Sequence, residues 1–475
     1  MKHLTILGLL VFATSLPAPA TASSSKAVLQ QAERLRDAAL TDETAWKWVE
    51  GLTTEVGPRL AGTPEEKRAR EWTVRSLKEL GFPARSIRVE PFPVDTWVRG
   101  GETARIVSPF PQPLVVTALG RSGATSEEGL EAEVAVFKTL AELEAQPDGA
   151  LKGRIAYISH AMRKTQDGSS YGYFGRVRFR GPSIAASKGA VGCMIRSVGT
   201  QHHRLPHTGG TGWGDVPRVP AVALSPPDAD QIERIAARGE TIRVAMTVTP
   251  RVLGTRQSGN VIVDLVGSKR PEEIVVVGGH LDSWDLGTGA VDDGAGVAIT
   301  TAAVNLIRKS GRRPARTIRL IHWGSEEVGL VGAKAYAERH ADSIDQHVIG
   351  SESDFGGDRV FQIGGHVSDE GQVVVDEMLR LLAPLGVGRG PMGRSFLGSS
   401  GPDLSPLNAA GLPRFRLDQD GRDYFDYHHT PDDTLDKIDP EALRQNVAAY
   451  VVFLWLAANT DAQFRPEIAD TTVRE

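Results

Sequence analysis

The sequence predicts an α/β fold, a three-layer sandwich with a mainly parallel sheet that is interrupted by an inserted β-rich module. From residue 257 onward, short apolar strands alternate with amphipathic helices. This pattern is typical of helices packed on both faces of a parallel sheet. Residues 119–250 instead show short apolar runs separated by loops that contain Gly, Pro and His. That pattern of short apolar runs and loops indicates a separate, mostly β module of about 130 residues.

The length and composition fit this division. A chain of 475 residues suits two or three domains. We predict that residues 23–118 and 251–475 form one domain, which the module at residues 119–250 splits in sequence. The chain is 40% hydrophobic and 24% charged, as in ordinary globular proteins. Its formal net charge of -5 gives no reason to expect nucleic acid or a membrane as a partner.

The N-terminus has the features of an export signal. Lys2 is the only charged residue before Lys26. The apolar stretch between them is shorter than the ~20 residues of a membrane-spanning helix. It leads to a small-residue segment, Ala20–Ala22, that fits a cleavage site. We therefore expect residues 1–22 to be removed and the mature protein to be periplasmic or secreted.

The cysteine content limits how such an exported protein can be stabilised. Cys193 is the only cysteine, so the chain can form neither an intramolecular disulfide nor a cysteine-rich zinc site. It lies in an apolar run, VGCMIR, and we predict that it is a small buried hydrophobic residue. Core burial or a bound metal must then stabilise the fold.

The elements of the first part of the chain follow from local signals. A helix is predicted over residues 27–39. A second helix begins at the capping box Thr63–Glu66, which places Pro at the first helical position, and ends at Gly81. Residues 86–118 alternate between apolar and polar side chains, and this alternation predicts strands at a sheet edge.

The second part of the chain alternates strands and helices. Strands are predicted at NVIVDLVG, EIVVVGG, TIRLIHWG, HVIGSESD and PRFRL, and helices at DDGAGVAITTAAVNLIRKSG, LVGAKAYAERH and DEGQVVVDEMLRLLAPLG. A closing helix begins with Asp439 as its cap, and an apolar stripe from Leu443 to Leu454 is predicted to be buried. Ligand sites in such folds lie at the carboxyl ends of the strands.

Polar residues with metal-binding side chains follow these strands. They are His280, Asp292, Glu326, Glu327, Asp354 and His429. Carboxylates crowded together at neutral pH repel one another, so either a cation lies among them or some are protonated. Two His and several carboxylates, without thiolates, suit zinc. The sequence therefore predicts a zinc site at one edge of the sheet.

A site with two zinc ions explains the number of ligands. One carboxylate would bridge the ions, and each ion would take one His and a second carboxylate. The adjacent Glu326 and Glu327 could then divide two roles, one binding metal and the other removing a proton from the attacking water. Two metals about 3.5–4 Å apart lower the pKa of that water and stabilise the tetrahedral intermediate. Asp282 is either a hydrogen-bond acceptor for the His280 ring or a turn-forming residue.

Several segments together resemble a known family. They are GGHLDSWDLGTGAVDDGAG, WGSEEVGLVGAKAY, SESDFGG and YFDYHHTPDDT. They are similar to the di-zinc exopeptidase family of bacterial leucyl aminopeptidases, and most to its plasma glutamate carboxypeptidase (carboxypeptidase Q) branch. The resemblance covers nearly the whole mature chain. It implies an aminopeptidase or dipeptidase acting on small peptides with a free N-terminus, an inserted protease-associated domain with a lid or dimerisation role, and a homodimer.

The resemblance also implies a role for each site residue. His280 and Asp354 would bind one zinc ion, Glu327 and His429 the other, with Asp292 bridging them and Glu326 as the general base. The family pattern His-Thr-x-x-Asp-Thr selects His429 over His428, and a cis peptide is expected at Asp292–Asp293. The loop GSSGPDLSPLNAAG resembles the family's substrate-side loop, which would place Ser400, Gly401 and Asp403 in the pocket. The same loop also fits an ordinary Gly/Ser/Pro connection.

Other functions remain open from the sequence. A carboxypeptidase would need a fixed cation for the terminal carboxylate, and Arg394, Arg416 and Arg422 are candidates. A non-catalytic member of the same fold, an export-dedicated binding protein and a zinc cyclotransferase with one zinc ion are further alternatives. Residues His202, His203 and His207 could form a second metal site, but without accompanying carboxylates we interpret them as surface-loop residues.

Overall fold

Three β-sheets organise the computed structural model, which describes residues 23–467. The predicted export signal, residues 1–22, lies outside the described residues. The strands are β1 Ile87–Val98, β2 Glu102–Ser108, β3 Gln112–Leu114, β4 Val116–Ala118, β5 Leu130–Phe137, β6 Arg154–Ile158, β7 Gly192–Arg196, β8 Ala221–Leu224, β9 Arg243–Val248, β10 Arg251–Leu265, β11 Arg270–His280, β12 Arg316–Trp323, β13 His347–Glu352, β14 Val360–His366, β15 Gly388–Met392 and β16 Arg414–Gln419. The helices are α1 Lys26–Ala39, α2 Thr44–Gly51, α3 Pro64–Glu79, α4 Leu140–Glu144, α5 Ser169–Ser187, α6 Pro226–Ala236, α7 Ala295–Lys309, α8 Val331–Arg339, α9 Asp369–Leu382, α10 Ser405–Ala409, α11 Tyr424–Tyr427 and α12 Pro440–Asn459.

The capping signals in the sequence start helices where they were predicted to. The Thr63 hydroxyl accepts a hydrogen bond from the backbone N–H of Glu66 at 3.3 Å, at the start of α3. The Asp439 carboxylate accepts one from the N–H of Glu441 at 2.8 Å, at the start of α12. Side chains of this kind satisfy N–H groups that have no partner within the helix.

The central sheet has the strand order β1-β10-β12-β11-β13. Strands β12, β11 and β13 are parallel neighbours, whereas β1 pairs with β10 and β10 with β12 in antiparallel fashion. The expectation of a mainly parallel sheet is therefore not met, because the sheet is mixed. The chain leaves this sheet through β1 and returns through β10, so the two strands that flank the insertion run in opposite directions.

The hydrophobic core of the main domain lies between this sheet and the helices α7 and α12. Every residue from Ala295 to Ile307 is buried. The segment Ala290–Lys309 is long and apolar enough to cross a membrane by composition alone, but its apolar window is wholly buried in the fold. In α12 the burial extends around the helix rather than along one stripe as predicted, because α1, α7 and α9 pack around it.

The second sheet, with eight strands, has the order β3-β2-β9-β5-β6-β7-β8-β4. It begins at Glu102, where β2 pairs with the end of β9 through Glu102 and Val248. Strands β2 to β4 therefore belong to this sheet and not, as their assignment to residues 23–118 implied, to the first part of the main domain. Alternation alone indicates a strand but does not identify its partner. We call residues 102–248 the inserted module.

The interior of the module contains Cys193, which is fully buried as predicted. Burial raises the pKa of its thiol to about 12. Helix α5 packs against β7 in this module. The sequence does not indicate α5, because Pro182 and several glycines interrupt its apolar periodicity.

We expect the closing helix to contribute strongly to stability. Leu454 in α12 is fully buried, so Leu454→Ala should lower the free energy of unfolding by about 2–5 kcal/mol, through lost burial and a residual cavity. Urea unfolding followed by circular dichroism measures this change. The matched control is Leu397→Ala, at a side chain that is 87% exposed, with an expected effect within about 0.5 kcal/mol. Equal effects of the two substitutions would contradict the packing of α12.

Candidate metal centre

The six residues predicted for the site meet at one edge of the central sheet. His280 is the last residue of β11, Glu326 and Glu327 follow β12, and Asp354 follows β13. Because these three strands are parallel neighbours, their carboxyl ends lie together. Asp292 precedes α7, and the remaining residue, the second His of YHHTPDDT, follows α11.

Asp292 lies at the centre of the site between two histidine rings. Its Oδ1 lies 3.0 Å from His280 Nε2 and its Oδ2 lies 3.2 Å from His429 Nε2. His280 Nε2 is also 3.5 Å from Asp354 Oδ1, and His429 Nε2 is 3.1 Å from Glu327 Oε2. Two triads thus share one carboxylate. These spacings match those of ligands around a tetrahedral zinc ion, which lie about 3.3 Å apart when the bonds are about 2.0–2.1 Å.

The site contains buried carboxylate oxygens that have no hydrogen-bond partner. Among the described residues, Asp292 Oδ2 and Glu327 Oε1 accept no hydrogen bond although both atoms are buried. A buried oxygen of this kind is costly unless it is paired. Burial raises the pKa of Glu327, and the charge of Asp292 adds to the effect. A divalent cation held by two imidazoles and three carboxylates would satisfy these atoms, and this donor set suits zinc.

Asp293 and Gly296 hold the segment around Asp292 in place. The Asp292–Asp293 peptide is cis, as the resemblance implies. The Asp293 carboxylate accepts hydrogen bonds from the N–H groups of His280 and Gly296, both at 3.0 Å. A side chain at Gly296 would place its Cβ 1.9 Å from the carbonyl oxygen of Ser353, so only glycine allows this close approach.

Glu326 is half-buried at the edge of the metal-ligand set and lines the cavity above it. Burial raises the pKa of Glu326 well above its usual value; His280 opposes this shift and the charge of Glu327 adds to it. Its carboxylate makes no hydrogen bond to any part of the chain that the structure describes, whereas Glu327 faces His429. The two adjacent glutamates are therefore in different environments, with Glu326 free to contact a substrate.

Asp282 has a different role from the one its sequence position indicates. Its backbone carbonyl, not its carboxylate, accepts the hydrogen bond from His280 Nδ1 at 2.9 Å. The fully buried carboxylate instead accepts from the backbone N–H groups of Glu326 at 3.0 Å and Glu327 at 3.3 Å. Asp282 therefore orients both the first histidine and the glutamate pair, as outer residues of metal sites do.

Both histidines of the YHHTPDDT loop lie near the carboxylate of Asp292. His428 Nε2 is 3.6 Å from Asp292 Oδ2, and its ring stacks on that of His429 with a centroid distance of 3.5 Å. Of these two histidines, only His429 also lies near Glu327, with its Nε2 3.1 Å from Glu327 Oε2. His428 lines the cavity beside it.

The cavity above the site has a volume of about 770 Å³ and lies between the main domain and the inserted module. Of the predicted substrate-loop residues, Gly401 lines it, and a Cβ there would lie 2.3 Å from the Glu352 side chain. Ser400 and Asp403 are buried behind the wall instead. The Ser400 hydroxyl accepts from Phe415 N at 3.1 Å, and the Asp403 N–H donates to Glu352 Oε2 at 2.8 Å. These two residues hold the loop in place.

Cationic side chains also line the cavity. Of the three arginines considered from the sequence, Arg416 lines it, whereas Arg394 does not and Arg422 pairs with Asp420 outside it. The structure adds residues that sequence analysis missed, among them Arg121 and Arg178 of the module and Lys334 of α8. The sequence gives no signal for them, because they come from distant segments that meet only in the folded chain.

The histidines of the 202–207 segment do not form a metal site. His202 and His203 are exposed, as predicted for a surface loop. His207, in contrast, is fully buried, and burial lowers the pKa of its ring to about 3. It faces the loop that carries His429, and this contradicts its assignment to the surface.

Comparison with known proteins places this chain among peptidases. The model for peptidase family M28 matches residues 260–454. Carboxypeptidase Q from Rattus norvegicus is 34% identical over 411 residues, which are 86% of this chain and 84% of that protein.

Two solved structures are similar to most of the chain. A peptidase M28 precursor from Shewanella amazonensis SB2B has a TM-score of 0.89 and 45% identity, covering 93% of this chain and 98% of its own. BSAP, a zinc aminopeptidase from Bacillus subtilis, has a TM-score of 0.63 and 21% identity, covering 88% of this chain and 95% of its own. The second likeness concerns the fold alone.

We expect metal binding to stabilise the protein through the shared carboxylate. Zinc added to chelator-treated protein should raise the melting temperature, since a ligand at 100 times its Kd stabilises by about 2.7 kcal/mol per site. Asp292→Ala removes the residue that joins both triads, so this variant should retain no zinc and melt at one temperature with or without it. Differential scanning calorimetry and metal analysis measure both effects. Asp342→Ala, at an exposed aspartate, is the matched control. Zinc retention by Asp292→Ala would contradict the bridging role.

Proposed function

The chain belongs to peptidase family M28, and we propose that it is an exported, zinc-dependent exopeptidase that hydrolyses small peptides with a free N-terminus. One observation carries the proposal: Asp292 joins two His–carboxylate pairs, and a free glutamate, Glu326, lies beside them. The proposal includes two zinc ions per chain and cleavage of residues 1–22. It also includes a homodimer and a protease-associated domain as the inserted module. The similarity in fold to BSAP, a zinc aminopeptidase, supports zinc as the metal.

Five residues would hold the zinc ions. His280 and Asp354 form one pair, Glu327 and His429 form the other, and Asp292 contributes one oxygen to each. Zinc supplies Lewis acidity, which polarises the scissile carbonyl and makes a water molecule a strong enough nucleophile at neutral pH.

Glu326 would move the protons of the reaction. Its carboxylate would accept a proton from the attacking water and then deliver that proton to the nitrogen of the leaving amine. The raised pKa of Glu326 suits both transfers, because a carboxylate with a pKa nearer neutrality takes up a proton more readily than an ordinary carboxylate and holds it long enough to deliver it as a carboxylic acid. Asp282 holds the backbone of Glu326 and thereby fixes the distance between the base and the metal ligands.

The shape of the cavity supports short substrates. Tyr171 and Arg178 of the module face the metal ligands from the opposite wall, so the module forms a roof over the site. Lys164 of the module pairs with Asp423 at 3.0 Å and Asp426 at 2.8 Å in the main domain, which ties this roof down. A partly covered cavity of this size favours the end of a peptide over the middle of a protein chain.

Carboxypeptidase activity is a second candidate, and the cations of the cavity favour it. Arg121, Arg178, Lys334 and Arg416 line the cavity, and a guanidinium binds a terminal carboxylate with two parallel hydrogen bonds. The curated relative is named a carboxypeptidase. A dipeptidase would use both ends of its substrate. The complete ligand set and the free Glu326 argue against a non-catalytic member, and a count of two zinc ions would argue against a cyclotransferase.

Replacing the proposed base should separate catalysis from metal binding. Glu326→Gln keeps the size of the side chain but cannot accept a proton, so kcat should fall about 10²- to 10⁴-fold. Zinc content should remain that of the wild type. Dipeptide hydrolysis under saturating zinc and metal analysis measure the two quantities. Glu338→Gln, at an exposed glutamate of α8, is the matched control. Full activity of Glu326→Gln would exclude this residue as the base.

A panel of blocked dipeptides should reveal which end of the substrate is recognised. We expect free dipeptides to be cleaved and N-acetylated ones to resist cleavage, because acetylation removes the charged amine that the proposed activity requires. C-terminal amides of the same dipeptides form the complementary set. Cleavage of free and N-acetylated substrates at equal rates, with loss of activity on the amides, would replace the aminopeptidase assignment with carboxypeptidase action.

A further inference from the structure

Two adjacent residues of the inserted module contact the loop that carries a proposed metal ligand. His207 and Thr208 lie between β7 and β8, far in sequence from that loop. His207 Nδ1 donates to the carbonyl oxygen of His428 at 2.7 Å, and Thr208 N donates to the carbonyl oxygen of His429 at 3.0 Å. The two carbonyls belong to the peptide groups on either side of His429. The module therefore holds the main chain of His429 from both sides.

This backbone needs external support. His429 has a φ of +63°, in the left-handed region that residues with a Cβ rarely adopt. Such a conformation persists only where surrounding contacts impose it, and these places are commonly functional sites. The two hydrogen bonds from His207 and Thr208 are contacts of this kind, and both donors are buried.

The module also orients the ring of His429. His429 Nδ1 lies 3.2 Å from the carbonyl oxygen of Thr208, so an N–H at this position donates to that oxygen. The opposite nitrogen, Nε2, then carries the lone pair and faces Asp292 and Glu327. Arg178 Nη1, 3.2 Å from the same Nδ1, donates to the same carbonyl oxygen at 3.3 Å. A metal-binding imidazole is commonly fixed in this way through its second nitrogen.

His207 is itself held in the orientation that this role requires. Gln201 Nε2 lies 3.2 Å from His207 Nε2 and donates to it, which leaves the hydrogen of the neutral ring on Nδ1. The backbone N–H of His207 donates to Ser197 Oγ at 2.8 Å. A side chain at Gly199 would place its Cβ 2.2 Å from the His207 ring, so glycine leaves room for it.

We propose that His207 is a positioning residue for the metal ligand His429, and that the inserted module is a fixed part of the metal centre rather than a separable lid. The inference rests on the proposed zinc site. His207 touches neither the metal nor the substrate in this arrangement. It acts by fixing the peptide group between His428 and His429, and Thr208 acts in the same way on the next carbonyl.

Two substitutions of similar size separate this role from simple packing. The amide nitrogen of Asn can occupy the place of His Nδ1, whereas that of Gln lies near the place of Nε2. His207→Asn should therefore retain the hydrogen bond to the His428 carbonyl, and His207→Gln should lose it. His202→Gln, at an exposed histidine of the same loop, is the matched control.

The measurement is the affinity of each zinc site in the full-length mature protein, obtained by competition with a chromophoric chelator. His207→Gln should weaken one of the two sites about 10- to 100-fold and leave the other unchanged. His207→Asn and His202→Gln should keep the wild-type affinities. The visible spectrum of cobalt-substituted protein should change for one site in His207→Gln only. Melting temperatures of the metal-free variants report any general loss of folding.

The outcomes are distinct. Unchanged zinc affinities in His207→Gln, or equally weakened ones in His207→Gln and His207→Asn, would overturn the positioning role. If His207→Gln does not fold, His207→Asn decides alone, because loss of one site in that variant would also overturn the proposal. A wild-type protein that binds no zinc would instead refute the proposed function itself, whatever the variants do.

Discussion

The pairing of one buried carboxylate, Asp292, with two imidazoles is the interaction on which the rest of the site depends. Burial alone would raise the pKa of Asp292, but the neighbouring rings of His280 and His429 outweigh this effect and hold the pKa well below its usual value. Asp292 therefore stays ionised inside the protein, with one oxygen directed to each ring. To keep this arrangement, the folded chain must hold the three segments that carry His280, Asp292 and His429 in fixed positions, and much of the surrounding structure does so.

Arg59 helps to position the segment before Asp292 without binding the Asp292 carboxylate itself. Its buried guanidinium donates to the carbonyl oxygens of Thr288 at 2.7 Å and Gly289 at 2.8 Å, and so holds the glycine-rich loop before Asp292. The Asp433 carboxylate accepts a hydrogen bond at 2.6 Å from the backbone N–H of Val291, the residue directly before Asp292. Both residues act on the backbone, which leaves the oxygens of Asp292 free for the histidines and a metal.

The inserted module also positions the site through contacts with the backbone, from the opposite side of the cavity. The sequence predicts that the module is a separate domain, and its sheet is indeed separate from the central sheet. Its 207–208 segment nevertheless reaches the backbone of His429, and Arg99, just before β2, pairs with Asp285 at 2.8 Å beside the site. The two ends of the inserted module connect to β1 and β10, which are neighbouring antiparallel strands of the central sheet. These two connections keep the module close to the site.

The sequence by itself determined most elements of the main domain and the candidate site residues, because apolar periodicity marks strands and ligand sites lie at strand ends. His280, Glu326 and Asp354 could be identified as candidates in this way, whereas only the family resemblance implied a bridging role for Asp292. Strand direction, the sheet to which β2 belongs and the burial of His207 were decided only by tertiary structure. These properties depend on which distant segments pair and cover one another, and no local pattern of side chains encodes that choice.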